Sequence, residues 1–266
     1  MVGIDVGAAT AKAVIFAEGE ILGHFVMATG HSVELAARRT TVEALRIAGL
    51  PDSLDELDYV VSTGYGRNAV AFANRSVTEI TCHAKGASFM IPEARTVIDI
   101  GGQDSKGIEI DEKGNVKDFI MNDKCAAGTG RFLEVMAAVL EMDSIDKLGP
   151  LSLKSTSPCR ISSTCTVFAE SEVVSLRAAG RSREDLAAGI HRAIASRVAA
   201  MIKRLKIRPE VVFTGGVAKN IGVKKALEEE LGIGILVPQE PQIIGALGAA
   251  LLAWRSTEEE QKSSVG

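Results

Sequence analysis

Two segments place a cysteine where a thiolate would be stabilised. Cys125 stands in Asn122-Asp123-Lys124-Cys125-Ala126-Ala127-Gly128-Thr129-Gly130-Arg131-Phe132. Cys165 stands in Ile161-Ser162-Ser163-Thr164-Cys165-Thr166-Val167-Phe168-Ala169-Glu170-Ser171-Glu172. Each comes just before a stretch with helical periodicity. Gly128 and Gly130 free the backbone in the first segment, and Ser162, Ser163 and Thr164 offer N-cap hydroxyls in the second. A helix start favours negative charge by roughly 0.3–1 kcal/mol when exposed. It also lowers a thiol pKa, giving the thiolate that binds metal. Cys82, in Thr81-Cys82-His83 ahead of a helix, and Cys159, six residues before Cys165, read as packed free thiols.

Three further segments suit an anion. They are Asp5-Val6-Gly7-Ala8-Ala9-Thr10, Asp99-Ile100-Gly101-Gly102-Gln103-Asp104 and Thr214-Gly215-Gly216-Val217-Ala218-Lys219-Asn220. In each, glycine follows an apolar run and lets backbone amides approach a phosphate closely. An aspartate ending a buried strand packs poorly but is well placed to hold hydrated Mg²⁺. The third segment leads into a helix, whose N-terminus suits phosphate or purine contacts. One such loop alone reads as readily as a tight turn. Three in this order, the first two related by duplication, read as a nucleotide site, although no Walker pattern or well-placed G-x-G-x-x-G occurs.

The elements that must position these groups repeat once. Ile4-Asp5-Val6-Gly7 matches Ile98-Asp99-Ile100-Gly101, and Lys12 and Lys106 each follow their aspartate by seven positions. Each copy continues as strand, turn and strand, which predicts two duplicated α/β units. Helices are expected over 33–48, 68–73, 83–90, 130–142, 166–179, 183–205 and 245–254, with Gly180 as a C-terminal stop. Residues 255–266 are polar and expected to fray. His83 and His191 read as packed helix residues, and Glu228-Glu229-Glu230 as a solvated face.

Composition narrows the classes. The net charge of −4 leaves no basic footprint for nucleic acid. No apolar run reaches the roughly 20 residues that span a bilayer. The start is strand-like and carries no signal-peptide pattern, so a cytoplasmic setting is expected, where four cysteines read as free or metal-bound rather than bridged. Two thiolates cannot complete a four-cysteine cluster, but two chains related by a two-fold axis, each giving Cys125 and Cys165, would.

The order of the three glycine loops, followed by the small-residue run Gly245–Ala250, resembles the actin, Hsp70 and sugar-kinase superfamily. That resemblance implies two ribonuclease-H-like domains with a nucleotide cleft between them, here 1–92 plus 246–266 and 93–245. The two cysteine segments, with Ser62–Asn68, Val97–Asp104 and Gly189-Ile190-His191, are similar to the activators of 2-hydroxyacyl-CoA dehydratases, within the benzoyl-CoA reductase/BadF-type ATPase family. This implies ATP-driven transfer of one electron, received from ferredoxin or flavodoxin and passed to a partner dehydratase. The cofactors implied are ATP and ADP, Mg²⁺ and one [4Fe–4S] cluster per homodimer, held by Cys125 and Cys165.

By the same resemblance, Asp5 and Asp99 position the metal, while Gly7, Ala8, Ala9, Thr10, Gly101, Gly102 and Gln103 hold the phosphates. Lys12 contacts a phosphate, Gln103 or Asp104 orients the attacking water, and Gly215, Gly216, Ala218 and Asn220 receive the adenosine. Benzoyl-CoA reductase or a double-cubane-cluster protein is the alternative electron acceptor, and a small-molecule kinase the alternative activity. The Gly7-Ala8-Ala9-Thr10 stretch departs from the Ser-Thr-Ala of dehydratase activators, so contacts there rest on backbone amides and Thr10.

Overall fold

A computed structural model describes residues 1–162 and 165–264, the last seven by backbone alone. In chain order the strands and helices are β1 (Val2–Val6), β2 (Thr10–Ala17), β3 (Glu20–Ala28), α1 (Val33–Ile47), β4 (Val60–Thr63), β5 (Arg75–Ser76), α2 (Glu79–Met90), β6 (Thr96–Ile100), β7 (Ser105–Ile110) and β8 (Val116–Asn122). Then come α3 (Gly130–Val139), α4 (Leu148–Ser152), α5 (Thr166–Ala178), α6 (Arg183–Ile202), β9 (Val211–Thr214), α7 (Ile221–Leu231), β10 (Ile235–Leu236) and α8 (Ile244–Ser264).

The strands form two sheets of five, ordered β3-β2-β1-β4-β5 and β10-β9-β6-β7-β8. Position for position, these are the same sheet twice. In each, an antiparallel three-stranded meander is followed by two parallel neighbours. The predicted duplication is therefore present, and it extends to the parallel strands β4 and β9, which occupy equivalent places.

Local chemistry accounts for the elements. The largely buried β2 and the fully buried β1 and β6 match strands covered on both faces. Ser32 caps α1 by accepting from the Leu35 amide, Thr78 caps α2 and Ser182 caps α6. Gly180 ends α5 at φ +82°, as expected.

Three expectations fail. Residues 68–73 are not a helix; only a short 3₁₀ turn spans Arg67–Ala69, because Ser62 and Ser76 bind the Arg67 carbonyl and hold this stretch beside β4. Helix α2 starts at Glu79, before His83, since Thr78 supplies the cap. Helix α8 continues through the polar tail to Ser264, whose Glu, Gln and Lys residues are good helix formers.

Helices α2 and α8 pack between the two sheets. One apolar cluster joins Val14 and Phe16 of the first sheet to Val97, Ile108 and Val212 of the second through Ala84, Ala87, Leu247 and Ala250. The helices approach closely because glycine lies at the crossings. A Cβ on Gly86 would stand 2.1 Å from the Ile244 carbonyl oxygen, and one on Gly248 would meet the Cys82 carbonyl. Helix α1 covers the outer face of the first sheet, and α3, α6 and α7 the outer face of the second.

Gly86→Ala is expected to destabilise the protein by about 1–3 kcal/mol, although helix propensity alone would favour alanine by about 1 kcal/mol. Gly234→Ala, where a Cβ meets nothing within 4 Å, should stay within about 0.5 kcal/mol of the parent. Urea midpoints measure both.

Candidate functional site

The seven-residue spacing of aspartate and lysine is a hairpin register. Asp5 pairs with Lys12 across β1 and β2, and Asp99 with Lys106 across β6 and β7. Both pairs close into ion pairs, at 3.0 Å from Lys12 Nζ to Asp5 Oδ2 and 3.2 Å from Lys106 Nζ to Asp99 Oδ2. The parallel neighbours repeat the symmetry: Thr63 stands beside Asp5 and Thr214 beside Asp99. Each threonine is followed by a glycine in the left-handed region, Gly64 at φ +86° and Gly215 at φ +88°. A Cβ there would lie 2.3 Å from Asp5 Oδ1 in the first case and 2.8 Å from Asp99 Oδ1 in the second. Glycine is required for both conformation and space.

The second pair is the more deeply enclosed. Thr214 Oγ1 donates to Asp99 Oδ1 at 2.9 Å. His83 Nδ1 lies 3.2 Å from Thr214 Oγ1 and 3.4 Å from Asp99 Oδ1. Lys106, 2% exposed, also reaches Asp104 Oδ2 at 2.8 Å and Glu79 Oε2 at 3.7 Å. Burial alone would raise the Asp99 carboxyl, but the His83 ring, Lys106 and the Thr214 hydroxyl together draw it down to about 2. Burial alone would lower Lys106, yet Asp99, Asp104 and Glu79 hold it above the usual lysine range. Burial raises Glu79, with Lys106 opposing.

His83 is the hydrogen-bonded, buried helix residue expected, and its partner is Thr214 beside Asp99. A Cβ on Gly245 would lie 2.9 Å from His83 Nε2 and 3.1 Å from Asp5 Oδ2, so the imidazole edge and the first aspartate both border the start of α8. His83, Thr63, Gly64 and Glu79 border the two ion pairs without having been named among the candidate site residues. The Thr-Gly dipeptide, repeated at 63–64 and 214–215 after short apolar runs, was the available signal for two of them.

The loops after β1 and β6 are alike. The Gly7 amide donates to the Thr10 carbonyl at 3.0 Å, and the Gly101 amide to the Asp104 carbonyl at 2.9 Å. Ala8, Ala9 and Gln103 are exposed at the tips. The tips face each other, since a Cβ on Gly102 would stand 2.7 Å from Ala9 Cβ. In the third loop, the Gly215 amide donates to the Pro241 carbonyl and Gly216 is partly exposed. Ala218 is buried. Asn220 is buried: its Oδ1 accepts from the Gly222 and Val223 amides, and its Nδ2 donates to the Ile145 carbonyl. Its side chain caps α7.

The second loop is also tied to the first cysteine segment. The Gly130 amide donates to the Gly101 carbonyl at 2.8 Å, and the Arg131 amide to the Gly102 carbonyl at 2.9 Å. The first turn of α3 therefore hangs from the loop after β6. Cys125, five residues before that helix, is exposed. Asn122 grips it from both sides, accepting from the Cys125 amide at 3.1 Å and donating to its carbonyl at 2.8 Å.

Cys165 is exposed at the start of α5. Ser162 does not cap that helix; its amide and hydroxyl both donate to the Glu172 carboxylate on α5 itself. Ser163 and Thr164 lie outside the described residues. Cys82 and Cys159 are buried, as expected. Burial pushes the Cys82 thiol up to about 12, and Cys159 Sγ accepts from Arg181 Nε at 3.2 Å. His191 is buried too, and desolvation lowers it to about 4.

Comparisons agree with this arrangement. The sequence profile of the BadF/BadG/BcrA/BcrD ATPase family matches residues 2–253. The activator of lactoyl-CoA dehydratase from Anaerotignum propionicum is 47% identical over 259 residues, covering 97% of this chain and 98% of that protein. The activator of the 2-hydroxyisocaproyl-CoA dehydratase from Clostridium difficile, solved with bound ADPNP, superposes with a TM-score of 0.93 at 43% identity, covering 99% and 97% of the two chains. Component A of the Acidaminococcus fermentans (R)-2-hydroxyglutaryl-CoA dehydratase superposes at 0.92 with 47% identity, over 96% and 98%. The fold is thus that of the actin-like ATPases, two ribonuclease-H-like domains.

An Asp99 carboxyl held near 2 in the folded chain, against about 3.9 unfolded, binds fewer protons folded than unfolded across that interval. Its stabilising contribution is complete above about pH 4 and is lost as pH falls toward 2. Asp99→Asn should lower stability at pH 7 by about 1–3 kcal/mol, because buried Lys106 loses a partner. It should also lose less between pH 5 and pH 3 than the parent does. Urea midpoints at the three pH values report both; an unchanged acid slope would remove Asp99 as its source.

Proposed function

The chain belongs to the BadF/BadG/BcrA/BcrD ATPase family, and from that premise we propose that it activates a 2-hydroxyacyl-CoA dehydratase by ATP-driven transfer of single electrons in the cytoplasm. The relatives named above support the choice of partner. The observation that carries the mechanism is the pair of hydrogen bonds from Gly130 and Arg131 to the Gly101 and Gly102 carbonyls. They join a phosphate-type loop to the helix that follows Cys125.

The thiols fit a shared iron–sulfur site. Cys125 and Cys165 are the exposed cysteines, each just ahead of a helix, whereas Cys82 and Cys159 are enclosed. Among the described residues of one chain, no three His, Cys, Asp or Glu side chains gather closely enough to hold a metal ion. Two chains supply the four thiolates that a [4Fe–4S] cluster needs, so the working unit is a homodimer. Held by these thiolates, such a cluster would supply the one-electron centre between a ferredoxin or flavodoxin and the dehydratase.

At the other end, the exposed amides around Ala8, Ala9 and Gly102 receive the β- and γ-phosphates, with Lys12 beside them. Asp5 takes the larger share in holding hydrated Mg²⁺. Its Oδ2 meets Lys12, and no hydrogen bond to Oδ1 is formed among the described residues. Asp99 has both oxygens engaged by Lys106 and Thr214 and orders the second loop. Gln103, exposed, orients the attacking water; Asp104 is drawn aside onto Lys106. Gly215 and Gly216 border the adenosine. The domains divide as 1–92 plus 246–266 and 93–245. When the phosphates change, the second loop shifts, and Gly130 and Arg131 follow because their amides are bonded to the Gly101 and Gly102 carbonyls. Helix α3 then moves the Cys125 segment. Coupling requires that the ATP and ADP states differ in these contacts.

Two experiments separate the halves of this proposal. Purified without oxygen, the parent should carry about four irons per dimer, and Cys125→Ala or Cys165→Ala should lose the brown absorbance while keeping helical circular dichroism; a retained cluster sinks the ligand assignment. Gly102→Val should cut ATP hydrolysis roughly tenfold or more through crowding against Ala9, with the absorbance intact. Hydrolysis by the parent should need no small-molecule phosphate acceptor, the opposite of what a kinase would do.

A further inference from the structure

We propose that Arg197 is a positioning residue that sets the reduction potential of the thiolate-bound centre by holding its positive charge against Cys125. This rests on the reading of Cys125 as a cluster ligand. Arg197 lies on α6, on the side facing the first cysteine segment, and is half-buried. Its Nη1 stands 3.5 Å from Cys125 Sγ, within hydrogen-bonding reach of sulfur.

The contact is braced from both sides. A Cβ placed on Gly128 would lie 3.6 Å from both Cγ and Cδ of Arg197, so the aliphatic stem runs along the loop at a residue with no side chain. The stem packs while the head remains at the sulfur. On the thiol side, Asn122 fixes the Cys125 backbone through its amide and its carbonyl.

The chemical consequence follows from charge. A guanidinium stays protonated throughout the physiological range. One-electron reduction adds negative charge to a centre whose ligands are already thiolates, so a fixed cation favours the reduced form. Hydrogen bonds to cluster sulfurs and nearby charge are established controls on such potentials. In a shared site, each chain brings one Arg197. The residue thereby makes the centre reducible by a mild cellular donor, at some cost to its driving force toward the acceptor.

The test uses full-length dimer prepared without oxygen: parent, Arg197→Met, Arg197→Gln and Arg197→Lys. Iron content and visible absorbance are measured first, then the midpoint potential by redox titration followed through the electron spin resonance signal of the reduced state. The expected result is a shift to more negative potential in the Met and Gln variants at full iron content, with Lys restoring the value toward the parent. A parental potential in both neutral variants overturns the tuning role and leaves the cysteine assignment standing. Loss of iron from both neutral variants would make Arg197 a structural brace for the loop, and also overturns it. A parent without iron defeats the ligand assignment itself.

Discussion

A carboxylate buried at the end of a β-strand must be met by positive charge or give up its own. This chain meets the demand twice, with a lysine directly across the hairpin: Lys12 for Asp5 and Lys106 for Asp99. Such pairs seldom add net stability over apolar replacements. Their effect is positional. Each fixes the end of its hairpin where the next residues turn into a glycine-bearing loop, and the Thr-Gly step on the parallel neighbour closes over the carboxylate. The two halves of the cleft are the same device used twice.

Close backbone approach brings the two copies together. Gly3, Gly86 and Gly248 let β1, α2 and α8 touch without intervening side chains, and the shared apolar cluster between the sheets forms around that contact. Because the helices are so near, His83 on α2 reaches the Thr214–Asp99 pair of the second sheet and the start of α8 beside Asp5. The loop tips then stand face to face at Ala9 and Gly102. The second loop is bonded in turn to Gly130 and Arg131 at the start of α3.

Burial sorts the cysteines by chemistry. Cys82 is wholly enclosed, and burial disfavours its thiolate. Cys159 is packed among apolar residues with Arg181 on its sulfur. Cys125 and Cys165 stand in the open before α3 and α5, with Asn122 and Arg197 ordering the first. Reactivity follows exposure and local positive charge rather than cysteine identity.

Much of this was legible along the chain. The seven-residue Asp-to-Lys spacing carried the hairpin register, the repeated Asp-x-Gly carried the duplication, and Gly128 and Gly130 marked the loop after Cys125. These are short-range matters: strand pairing across a tight turn, a cap three residues from its helix, a glycine where φ is positive. Helix ends were less legible where a single cap such as Thr78 decided the start, and the stretch after Gly66 was misread because its bonds go to Ser62 and Ser76 rather than along itself. What the tertiary structure alone decided is which distant groups meet. His83 finds Thr214 from 131 residues away, Gly101 holds Gly130, and Arg197 reaches Cys125 across 72 residues. No periodicity records such meetings, because they are set by how closely α2 and α8 pack and by which face α6 turns to the cysteine loop, and those depend on the shapes of the whole core.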